Sequence, residues 1–392
     1  MHIVYTGEEM PEKFTSSIFL AGPTPRNPQE QKSWRPEALK ILENIGYDGV
    51  VFVPDPRSGE FKLDYNDQVD WEEKYLNVAD CIVFWVPRDL ELDSKGYPKM
   101  AAFTTNVEFG FWADSGKIVF GAPPQAAKNG YLKHYCEQYK VPMSDSLEAT
   151  LASAMEMLGD GAERSGGERC VPLFIWKQDS FQNWYQAQLG AGNRLEEARL
   201  LYNFRPRFKD FVFLWILHAK IYVAAEKRVK DNEFVFARPD ISSVCLWHEK
   251  GDSLFENEVV IVKEFRTPAS TKDGFVRELP SGSSIKNISS QEMASEEVHE
   301  ETGMYINSSR FVDLGDKQLI ATFSAHKSRL FSVKLTDEEV AWFKSQRNIT
   351  HGNKDDTEIT YVEVLSIKNI MENNLLDWSN LGMVLSVIYS QT

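Results

Sequence analysis

Three glutamates, Glu297, Glu300 and Glu301, stand at i, i+3 and i+4 in the stretch Gly282–Met304, GSSIKNISSQEMASEEVHEETGM. On a helix this spacing puts the carboxylates on one face. Like charges so placed cost about 0.2–0.5 kcal/mol per pair in an isolated helix. Such a face is either a solvated stripe or a site for a cation. Hard oxygen donors suit Mg²⁺, which takes one or two carboxylates together with substrate phosphates. Gly303, two residues past Glu301, gives the helix a place to stop.

The chain that must hold these groups in place has 392 residues, enough for two or three cores. It is 42% hydrophobic and 26% charged, the balance of an ordinary globular protein. A formal net charge of −15 argues against a broad nucleic-acid surface, which needs a basic patch, but leaves room for a pocket for a small nucleotide. Cys81, Cys136, Cys170 and Cys245 have no paired spacing, so neither a zinc site nor a disulfide framework is expected. No secretory signal is evident, and the apolar run Phe211–Ile216 is too short to span a bilayer. A cytoplasmic enzyme with no membrane partner is the expectation.

Apolar runs at Ser17–Ala21, Gly49–Val53, Cys81–Val86 and Lys117–Gly121 alternate with helical patterns at Trp34–Ile45, Trp71–Val78 and Asn106–Ser115. This alternation predicts an α/β domain, a doubly wound parallel sheet with ligands at the carboxyl ends of its strands. Gly22, Asp80 and the region Asp89–Glu108 are therefore candidates for site roles, with Asp80 equally readable as a turn residue. Residues 159–169, beginning GDGAERSGG, have linker composition and divide a first domain, 1–158, from a second, 170–392. The second opens with a helical extension, including a run of helix formers at Arg194–Leu201. Short strands follow at Trp215–Ala225, Glu233–Ala237, Ser243–His248, Glu258–Phe265, Arg310–Leu314, Leu319–Ser324, Ser328–Val333 and Glu358–Leu365, which predicts an α+β fold with a mixed sheet. A closing helix is expected through Leu381–Val387.

The first segment resembles the nucleoside 2-deoxyribosyltransferase-like family through AGPTPR at Ala21–Arg26, SWRPEAL at Ser33–Leu39, ADCIVFWVPRD at Ala79–Asp89 and TTNVEFGFW at Thr104–Trp112. The resemblance implies that Glu108 attacks the anomeric carbon of the sugar, with Asp80 near the base or sugar and Gly22, Arg26 and Asn106 in contact with substrate. An ionised carboxylate suits the oxocarbenium character that develops as an N-glycosidic bond breaks. No cofactor is implied. Ala102 stands where transferases carry a further aspartate, so hydrolysis and transfer to a second base both remain open.

The stretch from Gly282 resembles the signature box of the Nudix hydrolases, with Gly282, Glu297, Val298, Glu300, Glu301, Gly303 and Met304 in register. Ile288 and Glu296 replace the usual Glu and Arg. VVIVKEFR at Val259–Arg266 and ELPSG at Glu278–Gly282 are similar to the ADP-ribose pyrophosphatase branch. The resemblance implies Mg²⁺ or Mn²⁺ held by Glu297, Glu300, Glu301 and Ser281, with Arg266 and Glu278 in contact with substrate. Asp355, Asp356 and Glu358 are candidates for a catalytic acid or base from a later loop.

Together these features predict a bifunctional enzyme acting on small nucleosides or nucleotides, with N-glycosidic cleavage or transfer in one domain and metal-dependent hydrolysis of a nucleoside diphosphate derivative in the other. The alternative is a sensor, whose altered box binds a nucleotide without cutting it and regulates the first domain. Both resemblances are compatible with a homodimer.

Overall fold

The structure, a computed structural model, describes residues 1–25, 27, 29–58, 64–206, 211–283, 288–353 and 357–390. Two compact units divide at Met1–Val235 and Phe236–Thr392.

The first unit runs β1 (His2–Tyr5), β2 (Lys13–Phe14), β3 (Ser17–Ala21), α1 (Arg35–Asn44), β4 (Val50–Val53), α2 (Tyr65–Val78), β5 (Cys81–Trp85), the hairpin β6 (Asp89–Leu92) and β7 (Pro98–Met100), and α3 (Phe103–Trp112). It continues through β8 (Ile118–Gly121), α4 (Gly130–Tyr139), β9 (Met143–Ser144), α5 (Leu147–Leu158), β10 (Arg164–Ser165), α6 (Leu173–Trp176), α7 (Asp179–Gly190) and the strands β11 (Arg194–Phe204), β12 (Leu214–Val223) and β13 (Arg228–Ala237), whose last two residues, Phe236 and Ala237, belong to the second unit. The main sheet has the order β1-β4-β3-β5-β8-β9, with every pair parallel. Every residue of β3, β4, β5 and β8 is buried, which is why these strands read as unbroken apolar runs. One face turns Phe19, Phe52, Phe84 and Phe120 toward Trp71 and Tyr75 of α2 and Phe109 of α3. The other turns Ile18, Val51, Val83 and Val119 toward Ala38 and Leu42 of α1 and Leu151 of α5. The chain leaves β3 for β4 on one side and returns to β5 on the other, so the carboxyl ends of β3 and β5 border a switch-point crevice.

Residues 159–169 are not a free linker. They fold onto the first unit, because Arg164 is wholly buried against Asp80 and Gly167 packs so closely on Leu195 and Glu196 that a Cβ would lie 2.3 Å from the Glu196 carbonyl carbon. Arg194–Leu201 is strand rather than helix: pairing with β12, Leu195 to Ile221 and Ala198 to Ala219, outweighs its helix propensity.

The second unit contains β14 (Ile241–His248), β15 (Glu258–Phe265), β16 (Phe275–Glu278), β17 (Ser281–Gly282), α8 (Ser290–Thr302), β18 (Val312–Gln318), β19 (Lys327–Lys334), α9 (Asp337–Ser345), β20 (Thr350–His351), β21 (Thr360–Ser366), α10 (Ile367–Glu372) and α11 (Trp378–Ser390). Its mixed sheet has the order β18-β19-β14-β15-β21-β20, with β16 beside β15 and β17 beside β14. The β14–β19 pair is parallel. Val244, Leu246, Val260 and Val362 face α8 through Ala294 and Val298. Cys245, Trp247, Val259 and Ile261 face Val384, Val387 and Ile388 of α11. Leu319–Ser324, expected as a strand, is mainly a turn, joined to Phe236 by one bridge at Ser324.

Among the described residues, no helix is long and apolar enough to cross a membrane.

Candidate active sites

In the first unit the site is organised by Arg35, a guanidinium only 2% exposed at the start of α1. Its Nε donates to Leu20 O at 3.1 Å, Nη2 to Gly22 O at 2.7 Å, and Nη1 to Thr24 Oγ1 at 2.9 Å and Asp55 Oδ1 at 3.0 Å. One side chain thus ties the loop after β3 to the loop after β4. Ser33 Oγ also donates to Asp55, and Trp34 Nε1 donates to Pro23 O. Gly22 is required here: a Cβ would lie 2.2 Å from the Trp85 carbonyl oxygen at the end of β5.

Glu108 is half-buried on α3. Burial, and next the negative charge of Glu72, push its carboxyl up to about 7, with Arg35 opposing. Glu72, on α2, is itself raised by burial, while Gln68 Nε2 donates to it at 2.9 Å. Two raised carboxyls, one of them raised in part by the other's charge, can divide the roles of base and acid. Asn106 accepts a hydrogen bond from Arg88, whose Nη1 donates to Lys128 O at 2.7 Å, so α3 is tethered to the loop after β5. The helix carrying Glu72 is anchored from the other end: Lys117, wholly buried, donates to Leu76 O, Asn77 O and Ala79 O. Burial pushes its ammonium down to about 7.

Gly22, Asn106 and Glu108 therefore lie on the elements that border the crevice, while Arg26 lies outside the described residues. Asp80 does not belong with them. It precedes β5, at the amino end of the sheet, and is wholly buried as a brace. Its Oδ1 accepts from Arg164 Nη1 at 2.8 Å and Leu173 N at 2.9 Å; its Oδ2 accepts from Arg164 Nη2 at 2.5 Å, Ser17 N at 2.9 Å and Ser17 Oγ at 3.0 Å. These donors occupy both oxygens and tie β3, β5 and residues 164–173 together at the foot of the sheet. Asp55 and Glu72 were missed from the sequence. Asp55 was legible in principle, two residues past the strand Val50–Val53 on the carboxyl side; Glu72 sits in an acid-rich helix that offers no such signal.

In the second unit Glu264, Glu301 and Glu358 bring carboxylate oxygens within 4.8 Å of one another. Each comes from a different element. Glu301 is one residue from the end of α8, Glu264 is one residue from the end of β15 and in alternation with Val260, and Glu358 precedes β21. Ser281 N donates to Glu301 at 3.0 Å, and Thr360 Oγ1 donates to the Glu301 backbone oxygen at 2.8 Å. Burial, then the charges of Glu297 and Glu278, hold Glu301 well above the usual carboxylate range. Burial likewise pushes Glu264 to about 7 against the pull of Arg266. Three crowded carboxylate groups, of which Glu264 and Glu301 are held above the usual range, are a donor set a divalent cation would relieve.

Glu297 lies over Gly282, where a Cβ would come within 2.4 Å of its carboxyl group. Arg266 bridges Glu278 at 3.0 Å and Glu264 at 2.8 Å. Glu300 departs from the expected arrangement: it is exposed and outside the close trio, because i+3 and i+4 differ by 100° around the helix and only i+4 keeps Glu301 turned inward. Asp355 and Asp356 lie outside the described residues. Glu264 was the ligand candidate missed; a glutamate continuing the apolar alternation Val260, Val262 was the available signal. Gly303 ends α8 as expected, with φ 80° and its N–H donating to His299 O.

No curated protein matches the chain. Residues 15–126 match the family described as nucleoside 2-deoxyribosyltransferase like, a span that holds Gly22, Arg35, Asp55, Glu72 and Glu108. The first unit thus contains a nucleoside 2-deoxyribosyltransferase-like domain.

Proposed function

We propose that the first unit breaks the N-glycosidic bond of a nucleoside or nucleotide through Glu108. The observation that carries this reading is Glu108 itself, half-buried on α3, raised by burial and by the Glu72 charge, and within the span of the family match. Ionised Glu108 attacks the anomeric carbon. The carbon–oxygen bond forms as the carbon–nitrogen bond breaks, and the base leaves with the bonding electrons and takes a proton from Glu72. Water or a second base then attacks the same carbon, gives its proton to Glu72 and releases Glu108. Arg35 keeps the Gly22–Thr24 loop and Asp55 fixed while charge moves between the two carboxyls. Ala102 at the start of α3 offers no further carboxylate, which favours hydrolysis over transfer.

The second unit, in our reading, hydrolyses a nucleoside diphosphate linked to another group. Its support is the convergence of Glu264, Glu301 and Glu358. These residues, with Glu297, would hold Mg²⁺ or Mn²⁺. The metal, when bound, neutralises phosphate charge and lowers the pKa of a water. Arg266 offers a charge for the diphosphate, and Glu278 holds that guanidinium in place. The replacement of both brace residues by Ile288 and Glu296 keeps the sensor alternative as the outcome to test against.

A chromatographic screen of nucleosides, nucleotides and dinucleotides with and without Mg²⁺ separates the two activities. Glu108→Gln is expected to abolish base release and spare Mg²⁺-dependent diphosphate cleavage, and Glu301→Gln to do the reverse. Base release that persists in Glu108→Gln refutes the first assignment. Nucleotide binding without any cleavage by the wild-type chain replaces the second with a sensor.

A further inference from the structure

Beyond the acid trio, the second unit carries a row of side chains that the proposed hydrolysis does not use. The rings of Phe236 and Phe323 stack with centroids 5.4 Å apart and planes 18° from parallel. Backbone pairing sets them there: Phe236 N donates to Phe323 O at 3.3 Å, and Ala325 N donates to Phe236 O at 2.8 Å. The ring of His326 meets Phe236 edge-on at 6.4 Å. Phe323 is 55% exposed, so its outer face is turned to solvent.

The row continues inward without a break. His326 feels the charge of Arg238. Arg238 Nη2 donates to Ser283 Oγ at 3.4 Å, beside the Gly282 backbone on which Glu297 lies. Arg238 also feels the charge of Arg266, which disfavours its own, and Arg266 is paired to Glu264 of the acid trio. The order along the unit is therefore ring pair, imidazole, two guanidiniums, carboxylates.

We infer that Phe323 and Phe236, with His326 beside them, seat the nucleobase of a nucleoside diphosphate whose phosphates lie against Arg238 and Arg266. This rests on the reading of the acid trio as a diphosphate-cleaving centre and adds to it which end of the substrate points where. An aromatic face accepts any base by stacking, and adjacent guanidiniums that repel each other gain from a bridging anion. Burial and the charge of Arg238 hold the imidazole down to about 4, so at neutral pH it meets a base as an uncharged ring with hydrogen-bonding nitrogens. Ser324 Oγ pairs with its Nδ1 and fixes the ring plane.

The test is calorimetric titration of the full chain with ADP and, separately, with inorganic pyrophosphate, using Ca²⁺ in place of Mg²⁺ to suppress turnover. ADP is expected to bind roughly tenfold or more tightly than pyrophosphate, as one stacked base supplies. Phe323→Ala should remove that advantage and leave pyrophosphate affinity unchanged, while Phe323→Tyr should keep it. An ADP-to-pyrophosphate ratio that is the same in Phe323→Ala as in the wild type overturns the base seat alone. Failure of pyrophosphate to bind the wild-type chain overturns the diphosphate reading and the seat with it.

Discussion

The elevated carboxyl of Glu108 makes base release by the first unit pH-dependent in a direction that can be worked out. As nucleophile Glu108 must be ionised, and burial with the neighbouring Glu72 charge raises it from an ordinary 4.5 to about 7. With Glu108 as the limiting group on the acid side, kcat/KM should fall tenfold per pH unit below neutrality, and it should decline again at higher pH as Glu72 loses the proton it donates. About one tenth of the activity would remain at pH 6 and about one hundredth at pH 5. Glu72→Gln provides the control. It removes the second-ranked cause of the rise but not the first, burial, so the acid limb should move to a midpoint between 4.5 and 7. Each unit of that movement corresponds to about 1.4 kcal/mol of interaction between the two carboxyls. The maximum should also drop, by a factor on the order of 10²–10⁴, because the leaving base loses its proton donor. Initial rates of base release from pH 5 to 9, in the wild type and Glu72→Gln, measure both effects. A wild-type profile flat from pH 5 to 7, or a limb that Glu72→Gln leaves in place, would refute the coupling of these carboxyls.

Asp80→Ala should destabilise the first unit by about 3–5 kcal/mol, the usual cost of leaving a buried charge such as Arg164 without its partner. Adding Arg164→Met should restore much of that, read by thermal unfolding; unchanged melting with lost base release would return Asp80 to the chemistry. Gly22→Ala should slow base release and cost about 1–3 kcal/mol, since its methyl would press on the Trp85 carbonyl and shift the loop held by Arg35. Glu264→Gln should weaken Mn²⁺ binding to the second unit by at least tenfold in a direct titration, while base release stays at the wild-type rate.

Legibility in the sequence followed burial. Strands covered on both faces, such as Cys81–Trp85 and Glu258–Phe265, announce themselves as apolar runs, and the first unit's parallel sheet follows from them. Gly22 and Glu108 were readable because local motifs place them after a strand and on a helix beside the crevice. Arg35 was not, although SWRPEAL was noticed, because its value lies in meeting Gly22, Thr24 and Asp55 from distant parts of the chain. Asp80 misled for the same reason: its partner is 84 residues away, and a lone aspartate before a strand looks the same whether it faces substrate or a buried arginine. The acid trio was half legible. Helical spacing found Glu301, but only pairing of β15 with β21 brings Glu264 and the approach to Glu358 alongside it. Likewise Arg194–Leu201 carries helix formers, and only the presence of β12 makes it a strand.

The burial of Arg164 against Asp80 also fixes an order of events. Residues 15–126 carry the family pattern, yet the guanidinium that pairs with the carboxylate at the foot of β5 lies beyond that span. Arg164 is joined by Leu173 N on the same carboxylate, and Ala162 N reaches back to Thr15 O at 2.8 Å. A nascent chain must therefore extend 84 residues past Asp80 before that ion pair can form, a delay on the order of 4–17 s at ordinary rates of synthesis. The last strand of the main sheet, β9, ends at Ser144, so the sheet's sequence is complete before this brace is available. A chain cut after residue 158 would stay in that state.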